Sequence, residues 1–144
     1  MKIPYSKNKE IHFAFSTVNY KALVGLVRQI DSSGNIRIVA TNITWDENYT
    51  NLSKTLEFRL ERDNDLVSLA FDKSIRDEAL LNIMETIHNM KPEEVIITLN
   101  PCTGFSDYRC KIVIMYYEDV ATICVNESLS EKEVKQLGSK CFIT

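Results

Sequence analysis

The sequence predicts an α+β domain, a largely antiparallel sheet of about eight short strands with two helices packed on one of its faces. Three observations carry this expectation. Stretches in which apolar and polar residues alternate with period two outnumber stretches with helical spacing. Only two segments, one central and one near the C-terminus, carry an apolar stripe at helical spacing. No strand–helix–strand unit recurs at regular intervals, which argues against a doubly wound parallel sheet. A length of 144 residues, with 44% apolar and 26% charged side chains, suits a single domain over residues 1–144. Residues 1–10 lack a packing pattern and are expected to be loosely held.

Segment 11–18 (IHFAFSTV) sets Ile11, Phe13 and Phe15 on one face, as a strand does. Segments 21–30 (KALVGLVRQI) and 35–44 (NIRIVATNIT) read as two β-branched strands. The turn Asp31-Ser32-Ser33-Gly34 joins them into a hairpin. Residues 46–53 are polar and aperiodic, a surface loop. In 55–61, Leu56, Phe58 and Leu60 alternate with Thr55, Glu57, Arg59 and Glu61, giving one dry face and one charged face. Asp63-Asn64-Asp65 then turns the chain into a strand at 66–71.

A helix is expected over 74–90, where Ile75, Leu80, Ile83, Met84 and Ile87 form its stripe. Ser74 with Asp77 starts it and Lys91-Pro92 stops it. Burying the stripe stabilises by roughly 1.5–3 kcal/mol for each large side chain, enough to organise the domain. Strands at 93–100, 111–117 and 120–126 follow, with Glu118-Asp119 as a tight connection between the last two. The second helix starts near Ser128 or Ser130, each followed three residues later by a glutamate at capping-box spacing. It turns Val134, Leu137 and Cys141 inward, and Gly138 frays its end.

Charge and composition narrow the function classes. The net charge is −3, and the chain has no basic stripe, so direct nucleic-acid binding is not expected. No apolar run approaches the ~20 residues of a membrane span, and the first residues contain no secretory h-region. A cytoplasmic, membrane-free protein is the expectation. Ile, Asn and Lys are abundant (15, 11 and 11) while Gly and Pro are scarce (4 and 3), the signature of AT-rich codons in a low-GC bacterium or its phage. Cys102, Cys110, Cys124 and Cys141 read as reduced thiols, of which only Cys102 and Cys110 flank one loop. Asn42, Asn48, Asn51 and Asn126 match N-x-[ST] by chance in a chain rich in these residues.

Catalytic signatures are missing from the sequence. His12 lies in the first strand and His88 near the end of the first helix, with no G-x-S-x-G or H-x-x-x-H nearby. No catalytic residue is assigned. Neither C-x-x-C nor an EF-hand ladder is present, so no metal and no cofactor are expected. The four glycines, Gly25, Gly34, Gly104 and Gly138, are too far apart to cradle phosphates.

The segment that stands out is the loop 100–111 (NPCTGFSDYRCK), hung between two apolar strands. Its candidate ligand-binding residues are Asn100, Thr103, Gly104, Phe105, Ser106, Asp107, Tyr108, Arg109 and Lys111. Gly104 lets backbone approach a ligand, the two rings offer stacking, and Arg109 can grip a carboxylate or phosphate with two hydrogen bonds. Trp45 and Tyr49, at a strand end beside a polar loop, are the candidate interface residues. Glu57, Arg59, Glu61 and Arg62 read as solvated cross-strand pairs.

These features predict a small, non-catalytic binding protein that captures an anionic small molecule, such as a nucleotide, or a host protein. A homo-oligomer is expected, because edge strands are available for pairing. Two alternatives stand beside it. One is a small enzyme whose site is assembled from His12 or His88 with Asp107 and Cys102 or Cys110. The other is an acidic inhibitor of a nucleic-acid enzyme, for which the charge is weak and scattered along the chain.

Overall fold

Period-two alternation shows directly in the architecture. The computed structural model of the chain describes residues 9–30, 35–43, 59–63, 66–72, 74–100, 112–125 and 130–144. Seven strands form one sheet: β1 (Lys9–Ala14), β3 (Asn35–Thr41), β4 (Arg59–Asp63), β5 (Leu66–Asp72), β6 (Glu94–Asn100), β7 (Ile112–Tyr117) and β8 (Val120–Val125). Their spatial order is β1-β8-β7-β6-β3-β5-β4, with every neighbouring pair antiparallel. A separate two-stranded ribbon pairs β2 (Thr17–Val18) with β9 (Phe142–Ile143).

One register row crosses the large sheet through Ile11, Ile123, Ile114, Ile97, Ile38 and Leu69, and all six are buried. The adjacent row, His12, Thr122, Met115, Ile96, Val39 and Ser68, points the opposite way. In that second row only Ser68 is buried, and its hydroxyl accepts from Nε of Arg37 at 3.1 Å. The sheet is therefore dry on one face only.

Among the described residues three helices complete the dry side: α1 (Tyr20–Ile30), α2 (Asp77–Asn89) and α3 (Glu131–Cys141). α1 packs against both others, and all three share one continuous core with the inward rows of the sheet. Arg28, in the last turn of α1, donates from Nε to Asp77 at 2.6 Å and from Nη2 to the carbonyl of Ile75, fixing α1 to the start of α2. Among the described residues no helix is long and apolar enough to cross a membrane. The α+β class, the mostly antiparallel sheet and the single helical face agree with the sequence-based expectation.

The hairpin expected at 21–44 is not present, because its first half is helix α1. Leu23, Val24, Leu26 and Val27 are buried while Lys21 and Gly25 are exposed, a 3.6-residue period rather than a two-residue one. The helix has a start signal: Asn19 Oδ1 accepts from the backbone N–H of Ala22 at 3.0 Å, an N-cap. β3 pairs instead with β5 and β6.

Smaller corrections have local causes. The first strand breaks after Ala14, where Phe15 N–H bonds to Asp119 and Ser16 N–H to Ile143. Lys9 and Glu10 already belong to β1, in register with Val125 and Cys124, so the loosely held segment expected over 1–10 does not reach them. Helix α2 begins at Asp77 with Arg76 at the N-cap and no side-chain cap bond, so Ser74 precedes it. Gly138 does not fray α3; it is buried inside the helix against the ring of Phe13. Of the two serines proposed to start α3, Ser130 is the cap, accepting from Glu133 N–H at 3.1 Å.

Candidate functional site

At one end of the sheet the helical layer runs out. α1 starts there and α2 ends there, and a cavity of about 550 Å³ opens between them and the strand ends. Its walls come from three stretches of the chain, 15–20, 88–95 and 116–118. Phe15, Ser16, Thr17 and Val18 line it from the β1–β2 segment, and Tyr20 from the first turn of α1. His88, Asn89, Lys91 and Pro92 line it from the end of α2. Glu93 and Val95 enter from β6 and its approach, and Tyr116 and Glu118 from the end of β7.

Register explains why Tyr116 can reach the cavity. It lies on the inward face between Val95 and Ala121, two small neighbours that leave room for its ring. The Tyr116 and Tyr20 hydroxyls are hydrogen-bonded to each other. Burial pushes the Tyr116 phenol well above its usual range, and proximity to Tyr20 adds to this. Tyr20 is also raised, first by burial, opposed by its bond to Tyr116, and further by the charge of Glu85. Both hydroxyls therefore stay protonated at neutral pH. Around them the rings meet at angles: Phe15 and Tyr116 are edge-to-face at 90° and 6.1 Å, and Tyr20 tilts 50° to His88 at 5.4 Å.

The rim carries charges of both signs in Lys91, Glu93 and Glu118. Glu93 is held by two contacts: its backbone N–H donates to the carbonyl of Thr41 at 2.9 Å, and Asn42 Nδ2 donates to its carboxylate. Asn42, Lys91 and Glu118 are the non-glycine residues with left-handed backbone among those described, at φ 51°, 52° and 52°. Two of them line the cavity and the third fixes a residue that does. Glu118 owes its conformation to the two-residue turn between β7 and β8. Lys91 owes its conformation to the end of α2, where its N–H bonds to the carbonyl of His88 at 3.0 Å.

The residues singled out from sequence are only partly brought here. His88, read as a lone helix-end histidine, lines the cavity. His12 lies on the opposite, open face of the sheet, where Nδ1 is 2.9 Å from Thr122 Oγ1, so the two histidines do not share a site. Cys124 is on that open face too, with burial first and Glu10 second pushing its thiol up. Among the described residues no group of three or more His, Cys, Asp or Glu gathers to hold a metal.

Backbone of Asn100 ends β6, but its side chain and the rest of the predicted loop, Thr103, Gly104, Phe105, Ser106, Asp107, Tyr108, Arg109 and Lys111, lie outside the described residues. So do Cys102, Cys110, Trp45 and Tyr49. Sequence reasoning missed Tyr20, Tyr116, Glu93 and Glu118 because they belong to three separate segments of the chain. The available signal was polar or ring-bearing residues at element ends, where sheet and helices stop covering one another. Comparison of the chain with protein-family models, with curated proteins and with solved structures finds no match.

Proposed function

We propose that this chain is a non-catalytic binding protein that captures a small molecule, one for one, in the cavity beside Tyr20 and Tyr116. The observation that carries this reading is the cavity itself, framed by left-handed residues, with hydroxyls, rings and charges converging on about 550 Å³. Sites for small molecules occupy roughly 300–1,000 Å³ and are largely preformed, as this one is.

Native mass spectrometry of protein purified from its expression host tests the proposal. The expected result is a low-mass species bound at one copy per chain and released unchanged on denaturation. Thr17→Trp, an exposed position on the cavity wall, is expected to displace it without unfolding the protein. Catalytic conversion of the released molecule by fresh protein would overturn the non-catalytic reading. An adduct that Thr17→Trp retains would move the site elsewhere.

A further inference from the structure

Resting on that reading, we infer that the cavity takes a small organic cation, with an alkylated ammonium head seated against the rings of Phe15, Tyr20 and Tyr116 and faced by Glu93 and Glu118. Ring geometry is the first support. Aromatic faces carry negative partial charge and attract cations, most strongly when the cation loses water on entering. Phe15 and Tyr116 stand edge-to-face at 90° and Tyr20 lies at 50° to His88, so neither pair forms a parallel slot. A rounded, alkylated head touches several faces at once.

Charge is the second support and is independent of the rings. Glu93 and Glu118 oppose the single ammonium of Lys91 at the rim. The Tyr117 hydroxyl, on the open face of the sheet next to this rim, is pushed up first by Glu118, then by Glu93, with Glu94 adding to it. Glu85 acts in the same direction on Tyr20 inside. An anion entering here meets these carboxylates unfavourably. Asn42 and the Thr41 carbonyl hold Glu93 in place before any ligand arrives, which lowers the ordering cost of binding.

Calorimetric titration with choline and with dimethylbutanol, its uncharged carbon isostere, separates charge from shape. Choline is expected to bind about tenfold more tightly than the isostere. Glu118→Gln, at an exposed hairpin position, should weaken choline roughly threefold and leave the isostere unchanged, and Lys91→Gln should strengthen choline by a similar factor. Equal affinity for the two probes would overturn the cation inference and leave the capture reading intact. Binding of ADP in preference to choline, with amide shifts at Lys91, would do the same. Should neither probe bind and no adduct appear in native mass spectrometry, both readings fall together.

Discussion

Two glycines show how one atom's surroundings set the sign of a substitution. Gly25 lies in the middle of α1, exposed, and a Cβ there would meet nothing within 4 Å. Gly138 is buried in α3, and a Cβ there would sit 2.3–2.8 Å from three ring carbons of Phe13. Helix propensity alone favours alanine at both, by about 1 kcal/mol. Gly25→Ala is expected to stabilise by roughly 0.5–1 kcal/mol. Gly138→Ala is expected to destabilise by roughly 1–3 kcal/mol, because Phe13 is held by the ring of Phe142 at 5.9 Å and overpacking outweighs propensity. Urea denaturation of the two variants beside the parent measures both, and a Gly138→Ala variant more stable than the parent would refute the packing account. At the same scale, Lys91 and Glu118 keep a left-handed backbone without glycine's freedom.

At the scale of elements, caps and periods decide what a segment becomes. Segment 21–30 reads as a strand if its Val and Ile content is weighed, and as a helix if spacing is weighed. Spacing prevails because Leu23, Val24, Leu26 and Val27 can all reach one core only on a helix. Asn19 supports that outcome by capping the helix, while its own N–H bonds to Cys141 at 2.7 Å. Asn19→Ala should therefore cost about 1 kcal/mol, with faster amide exchange confined to the first turn of α1. Exchange unchanged at residues 20–23 would show that the cap contributes nothing. α3 displays the same logic legibly: Ser130 and Glu133 are a capping pair visible in sequence and present in the structure, with the hydroxyl also 3.1 Å from the Glu133 carboxylate.

Across the whole molecule, stability is expected to fall in alkali. Cys141 is raised by burial from 9.0 to about 12, and Tyr116 well above 10.0. An acid whose folded value is raised keeps its proton longer in the folded state. Its contribution is complete below the unfolded value and is withdrawn as pH rises through the folded one. For Cys141 the window is pH 9 to 12. Cys141→Ala should lose about 1 kcal/mol at neutral pH, typical of a single substitution, yet decline less steeply than the parent across that window. Parallel curves of stability against pH for the two proteins would exclude Cys141 as a contributor. The same burial keeps this thiol chemically quiet, consistent with a site built from hydroxyls, rings and carboxylates.

The sequence by itself determined the class of fold, because period-two runs and two amphipathic stripes admit few other arrangements of a one-sided core. It also determined the inward side of the first strand, where Ile11 and Phe13 alternate with polar neighbours and both join the core. Two things were decided only by tertiary structure. One was the helical state of 20–30, where local preference is nearly balanced and burial beside α2 and α3 selects the helix. The other was the cavity. Tyr20, His88, Glu93 and Tyr116 carry no joint signature along the chain, since strand order, register and the ends of two helices bring them together. Local periodicity records which face of an element is dry, but a cavity forms where several elements stop, and that is a property of their packing.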